Sequence, residues 1–391
     1  MATKRMAISD LGYTPGLLPS GPKNSILDVP GVHVGQVTVG DDGDEVRHGV
    51  TVILPRHEDE NQIPCYVAIH TLNGNGELSG SYQVKDWGYT NTPIALTNSL
   101  SFGIVFQTIW EWTLAQAQEK GRDLTDMSYN YGTPVVAETA DWLLNDVFKS
   151  ALTPENVHAA FTAAKTQTEV LEGQHGGGTG MTCHMFPGGT GTSSRAVKGD
   201  ESGKEYTVGV LVQSNYGHNY DLQIAGVPVG KLLLKEGDIG TPKARASKAE
   251  GKADDGSIVI VLITDAPMLP HQLNRLARHC AVGLAQVGGH GIGRNFSGDI
   301  ILAISTGNKT VERVMTPQVL GVVPVETNTI DIIKNGSVDT LFRAASEVTE
   351  EAILNSMIAG RDGRRGYNDM ELPGLPVERV KELLGKYRAV V

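Results

Sequence analysis

Apolar positions recur along the chain with two different periods. Short runs rich in Val and Ile read as strands: "HVGQVTVG" (33–40), "GVTVILP" (49–55), "PCYVAIH" (64–70), "PIALTN" (93–98), "YTVGVLVQSN" (206–215), "SIVIVLIT" (257–264) and "GDIILAIST" (298–306). Several are apolar at every position, which suits strands covered on both faces. Helical patterns lie between them. In "LPHQLNRLARHCAVGLAQVG" the residues Leu269, Leu273, Leu276, Cys280, Leu284 and Val287 recur at spacings of three or four, one face of a helix. The segments "GIVFQTIWEWTLAQAQEKG" (103–121), "VVAETADWLLNDVF" (135–148), "DTLFRAASEVTEEAILNSMIAG" (339–360) and "PVERVKELLGKY" (376–387) read the same way. The order predicts a mixed α/β chain without the tight strand–helix–strand alternation of a doubly wound parallel sheet.

One boundary stands out. The segment "KEGDIGTPKARASKAEGKADDG" (235–256) alternates basic and acidic residues and has almost no large apolar ones, so it reads as an exposed loop. It ends abruptly on the most strand-like run in the chain, at Gly256-Ser257. The dipeptide alone carries no information, because Gly-Ser pairs also occur at Gly80 and Gly336, about what chance expects from this composition. The junction is either an ordinary loop-to-strand boundary or a place where the chain cuts itself and exposes Ser257 as a new amino terminus. A serine at a chain start carries its own base, since an α-amine titrates at about 7.7–8.0 and needs no histidine. Glycine before it leaves room for the hydroxyl to attack the preceding carbonyl and tolerates strained backbone.

Composition and charge narrow the field. With 391 residues and 40% hydrophobic content, a sizeable core is available. The net charge of -11 and the lack of basic runs argue against nucleic acid or an anionic membrane as partners. No long apolar span and no apolar region behind the first basic residues are present, so a cytoplasmic location is expected. Cys65, Cys183 and Cys280 are odd in number and widely spaced, and read as small core residues.

Other motifs carry little chemistry. "GQHGGGTGM" (173–181) and "GGTGTSSR" (188–195) lack the Lys-Ser/Thr ending of a phosphate loop and the spacing of a dinucleotide fingerprint, and read as turns and close backbone approaches. "NGNGELSG" (73–80) reads as a turn whose acidic residue could line a pocket. The histidines form no His-Glu-x-x-His pattern, and no Gly-x-Ser-x-Gly elbow exists, so neither a metal nor any other cofactor is expected.

Seven ordered blocks, "GPKNSILDVPGVHVGQVTV", "NGNGELSG", "PIALTNSLSFG", "PVVAETADWLLND", "VGVLVQSNYG", "DDGSIVIVLITDAPMLPHQLNRLARHCAVGLA" and "SGDIILAIST", closely resemble the DmpA-type L-aminopeptidase/D-esterases and the β-peptidyl aminopeptidases, self-cleaving N-terminal-nucleophile hydrolases. The resemblance implies a four-layer α/β/β/α sandwich of the DmpA and ornithine acetyltransferase type. It implies a single catalytic domain, 1–391, cut between Gly256 and Ser257 into an α chain (1–256) and a β chain (257–391) that stay together. A homotetramer acting on small peptides or amino-acid amides is the expected assembly and activity.

The resemblance also assigns roles. Ser257 matches the nucleophile, and Asn215 matches the asparagine whose amide helps form the oxyanion hole. Ser297 and Asp299 match the pair that binds the new amine, with Asp299 shorter than the Glu of part of the family. Glu138 matches the carboxylate that holds the substrate's free amino group. The DmpA-type pattern has a tyrosine two residues after that glutamate, whereas this chain has Ala140, then Asp141 and Trp142, so the preference among esters, α-peptides and β-peptides stays open. Two other readings remain: acyl transfer to an amine, as in ornithine acetyltransferases, whose nucleophile is normally threonine, and an unprocessed, non-catalytic binding protein.

Overall fold

The computed structural model describes residues 5–41, 44–121, 132–149, 152–200, 203–239, 256–288, 295–309, 321–322, 325–367 and 370–387. Its strands are β1 (His33–Val39), β2 (His48–Leu54), β3 (Cys65–Gly74), β4 (Tyr89–Thr90), β5 (Ile94–Asn98), β6 (Val135–Thr139), β7 (Thr182–Cys183), β8 (Phe186–Pro187), β9 (Gly189–Lys198), β10 (Glu205–Tyr216), β11 (Gly256–Thr264), β12 (Gly298–Ser305), β13 (Arg364–Arg365) and β14 (Glu371–Leu372). The helices are α1 (Ser81–Trp87), α2 (Phe102–Glu119), α3 (Pro154–Ala164), α4 (Val229–Glu236), α5 (Pro270–Val287), α6 (Asp339–Ala359) and α7 (Val377–Tyr387).

Two sheets form the middle of the molecule. One has the order β1-β2-β5-β6 and the other β4-β3-β12-β11-β10-β9. Strand alternation explains the layers. Along β11, Ile258, Ile260 and Leu262 join the core beneath α5 and α6, whereas Val259, Val261 and Ile263 face the other sheet. Both faces are therefore apolar, as the unbroken run anticipates, and burying each such side chain contributes about 1.5–3 kcal/mol. On the four-stranded sheet, Val50, Val52 and Leu54 of β2 pack with Ile109 and Trp112 of α2 and Phe161 of α3, while Ile53 turns toward the inter-sheet core. The result is the expected α/β/β/α sandwich.

The sheets are tied together by hydrogen bonds near one edge. Gln213 of β10 donates from Nε2 to the Thr97 carbonyl (2.9 Å) and to Thr139 Oγ1 (2.7 Å). A short turn, Gly176–Gly178, wedges between the layers; a β-carbon on Gly177 would lie 2.4 Å from both Gln213 Oε1 and the Leu96 carbonyl oxygen. This supports the reading of that glycine run as a close backbone approach.

Two sequence expectations change. The segment 135–148 is not a helix: Val135–Thr139 pairs in parallel with β5, and the chain then turns, with the Asp141 carbonyl accepting from the N–H groups of Leu144 and Asn145. The Val-Val start favours a strand, and pairing with β5 overrides the helical spacing downstream. "GGTGTSSR" is not a set of turns but most of β9, whose small residues let α6 approach; a β-carbon on Gly191 would meet the Ala352 carbonyl oxygen at 1.9 Å.

The expected loop over 235–256 begins later, because Lys235 and Glu236 close α4 and Gly237 caps it in the left-handed region. Residues 240–255 lie outside the described residues. The three cysteines are free and buried. No helix among the described residues is long and apolar enough to cross a membrane.

Candidate active site

The junction dipeptide sits at the amino-terminal end of a central strand. Gly256 and Ser257 open β11, where they pair with Tyr216 and Asn215 of β10. Gly256 has a φ of 58°, in the left-handed region, and a β-carbon there would lie 2.1 Å from the Asn215 carbonyl oxygen. Only glycine fits. Ser257 shares the face of Val259 and Val261, so its side chain points between the two sheets, and it is 8% exposed. Its Oγ accepts a hydrogen bond from the Gly298 N–H (3.0 Å).

Asn215, the register partner of Ser257, has an amide whose orientation is set by both ends. Oδ1 accepts from the Thr182 N–H (2.9 Å), and Nδ2 donates to the Ala140 carbonyl (2.7 Å). A primary amide has two N–H donors. The second is not committed by these contacts.

On the other flank of β11, Asp299 of β12 is the parallel register partner of Ile258. Ser297 donates from Oγ to Asp299 Oδ1 (2.7 Å). The approach to β12 is stapled to the end of β3, since the Ser297 carbonyl accepts from Asn73 Nδ2 and from the Asn75 N–H, and Asn75 Nδ2 donates to the Phe296 carbonyl (2.8 Å). Burial pushes the Asp299 carboxyl above its ordinary value, against the lowering effect of the Ser297 hydroxyl. Its Oδ2 is buried with no hydrogen-bond partner among the described residues. A cation placed there would be stabilised, and a new α-amine on Ser257 is such a group.

This strain carries a stability prediction. With the folded pKa raised, the stability linked to Asp299 is fully present below the ordinary aspartate value of about 3.9 and is lost as pH rises through the folded value. In a Ser257→Ala chain, Asp299→Asn should therefore raise the thermal midpoint at pH 7 and lose that advantage near pH 3. Equal shifts at both pH values would contradict the assignment.

Glu138 lies on β6 in the facing sheet. Its Oε1 accepts from the Glu77 N–H (3.0 Å) and its Oε2 from Ser99 Oγ. A β-carbon on Gly76 would lie 3.6 Å from Glu138 Oε1 and 3.5 Å from the Gly298 Cα, so the carboxylate and the Gly298 backbone both closely approach that glycine. Each carboxylate oxygen has a lone pair left for a ligand. The acidic residue of the 73–80 turn, Glu77, contributes its backbone N–H here, while the residue itself is exposed.

Strand pairing thus sets Asn215 directly opposite Ser257 and Asp299 on the next strand beside Ile258, while Glu138 and the Gly298 backbone both approach Gly76. Sequence reasoning missed the residues that set their positions: Gly76, Asn73, Asn75, Ser99 and Thr182. Only the first three carried any signal, as part of the Asn-Gly repeat. Among the described residues no group of three His, Cys, Asp or Glu side chains could hold a metal ion.

The chain is similar in sequence and fold to known aminopeptidases. The chain is 41% identical over 379 residues to the beta-peptidyl aminopeptidase BapA of Sphingosinicella microcystinivorans, covering 94% of this chain and 89% of that protein. It is 37% identical over 388 residues to the enzyme of the same name from Sphingosinicella xenopeptidilytica, covering 96% and 90%. Among solved structures it superposes on a Burkholderia sp. beta-aminopeptidase with a TM-score of 0.82 at 38% identity, covering 99% of this chain and all of that one. The L-aminopeptidase D-Ala-esterase/amidase of Ochrobactrum anthropi, described as a prototype of the serine aminopeptidases and a variant of the Ntn hydrolase fold, gives 0.84 at 35% identity over 98% and 99% of the two chains. These relatives favour an aminopeptidase over an acyltransferase or an unprocessed binding protein. The family profile of peptidase family S58 matches residues 24–369, and the chain belongs to that family.

Proposed function

We propose that this hydrolase cuts itself between Gly256 and Ser257 and then acts as a serine aminopeptidase on short peptides, amino-acid amides or esters, β-peptides included. The observation that carries the reading is the junction itself. A left-handed glycine precedes a buried serine whose Oγ is held by a backbone N–H and whose neighbour across the strand pair is an asparagine with a spare donor. In self-cleavage the Ser257 hydroxyl attacks the Gly256 carbonyl, the acyl group passes from nitrogen to oxygen, and water hydrolyses the ester. That leaves a carboxylate on Gly256 and a free amine on Ser257.

In turnover, the Ser257 hydroxyl attacks the scissile carbonyl and its own α-amine takes the proton. The amide of Asn215 stabilises the oxyanion. The protonated amine then delivers its proton to the leaving amine, and water releases the acyl group. Asp299 and Ser297 hold the α-amine in place. Glu138 binds the substrate's ammonium through a charge-assisted hydrogen bond, which supports an exopeptidase preference and the substrates named for the relatives. No cofactor is required, because the α-amine supplies the base.

The same reading includes a homotetramer in the cytoplasm. It is supported by the buried free cysteines and by apolar side chains left in water in one chain, such as Tyr82 and Phe148 at 89% and 91% exposure. The test is the intact mass of the denatured protein followed by amino-terminal sequencing. Two species, the smaller beginning Ser-Ile-Val-Ile, and release of amino acids from a panel of amides, dipeptides and β-dipeptides are expected. A single full-length chain after prolonged incubation would sink the proposal.

A further inference from the structure

A buried polar cluster that the proposed mechanism does not use begins at Asp141, the residue after Ala140, whose carbonyl accepts from the Asn215 amide. Asp141 is 1% exposed, and its Oδ2 receives three hydrogen bonds, from His48 Nδ1 (2.9 Å), Asn98 Nδ2 (2.9 Å) and Asn145 Nδ2 (2.7 Å). His48, also 1% exposed, directs its Nε2 at the Lys149 carbonyl (3.0 Å). Nε2 faces a carbonyl acceptor, and Nδ1 lies against both the Asp141 carboxylate and Asn98 Nδ2 (3.0 Å), so the imidazole and the carboxylate are held together as one buried pair. Asp146, Lys149 and Arg364 are the other charged groups whose fields involve this ring and its flank. Burial lowers the pKa of His48, but the hydrogen bond and charge of Asp141 outweigh it and hold it above its ordinary value.

The cluster joins four parts of the chain. His48 opens β2, Asn98 ends β5, Asp141 and Asn145 lie in the turn after β6, and Arg364 of β13 donates to Asn145 Oδ1 (3.3 Å). It therefore fixes the start of the turn against the sheet. The residue immediately before Asp141 is Ala140, whose carbonyl accepts from Asn215 Nδ2 at 2.7 Å. If that carbonyl moves, the amide follows it or loses a partner. An oxyanion donor has to be aimed at the position where charge will develop, and small displacements are expensive.

Resting on the proposed aminopeptidase mechanism, we infer that His48 and Asp141 are positioning residues: the buried pair holds the Ala140 carbonyl, which orients Asn215 toward the oxyanion. They touch no substrate. An oxyanion contact acts in the transition state more than in the ground state, so disturbing the pair should lower kcat and leave KM nearly unchanged. A residue that acts through Asn215 should also lose its effect once that amide is absent.

The experiment is a double-mutant cycle on the self-cleaved enzyme with Asp141→Asn, Asn215→Ala and the double variant, assayed on the best wild-type substrate of the panel. Asparagine keeps the shape but removes the charge that accepts three donors. Asp141→Asn is expected to lower kcat about tenfold or more with KM within about threefold, and to lower it by less than about twofold in the Asn215→Ala background. The same fold-loss in both backgrounds, or a loss confined to KM, overturns the inference. If Asp141→Asn does not accumulate as folded protein, His48→Gln, which leaves the carboxylate and its two asparagine donors in place, runs the same cycle with the same pattern expected. A wild type inert on the whole panel would instead sink the functional reading, and this inference with it.

Discussion

Ser257→Ala should yield a single full-length chain and no measurable hydrolysis. Alanine has no hydroxyl, so neither the acyl shift at Gly256 nor attack on a substrate carbonyl can begin. Removing a nucleophile from a comparable serine hydrolase costs about 10⁶-fold in kcat. The variant should still fold, because the hydrogen bond given to Ser257 Oγ by Gly298 is its one side-chain contact of this kind among the described residues, and losing one such bond costs about 1 kcal/mol. Ser257→Cys restores a nucleophile and should recover cleavage of the chain at a reduced rate. Gel and mass analysis after a long incubation read both outcomes at once. A normally cut and active Ser257→Ala protein would exclude this serine as nucleophile and return the Gly256-Ser257 junction to a plain loop meeting a strand.

Asn215→Ala comes second in expected size. In the folded chain this amide is committed at Oδ1 to the Thr182 N–H and by one N–H to Ala140, and its residue is the direct strand-pair partner of Ser257. Deleting it should lower kcat by about 10²–10³-fold while KM stays within a few-fold, the behaviour of a donor used in the transition state. Purified self-cleaved protein must be compared, so that slow cleavage is not counted as slow turnover. A rise in KM with kcat preserved would mean that Asn215 binds substrate and that the oxyanion is stabilised by other groups.

Legibility in the sequence followed the range of the physics. The β11 run and the heptad-like face of α5 were readable because their signals lie within a few residues: alternating or unbroken Val and Ile, and Leu at helical spacing. The same approach failed at 135–148, where Val135–Thr139 follows its partner β5 and the rest turns around Asp141. It also failed at β9, because a strand made of Gly, Thr and Ser has weak local propensity and exists through its pairing with β10 and the close fit of α6. The α3 helix has a local start signal, Thr153 at the N-cap followed by Pro154 and Glu155 in the first turn.

The candidate site divides along the same line. From the chain alone came many of the strands and helices, the polar segment that ends at Gly256-Ser257, and, through the resemblance, the identities of Asn215, Ser297, Asp299 and Glu138. These depend on residue type and short spacing, which a sequence displays directly. Only the tertiary structure put Asn215 opposite Ser257, brought Glu138 and the Gly298 backbone to Gly76, and set the Asn215 amide on the carbonyl of Ala140, the residue before the buried Asp141 that pairs with His48. Those relations come from strand register, from two sheets locked by Gln213, and from the need of buried polar groups to find partners. Each is a contact between distant segments that has no local signature in the sequence.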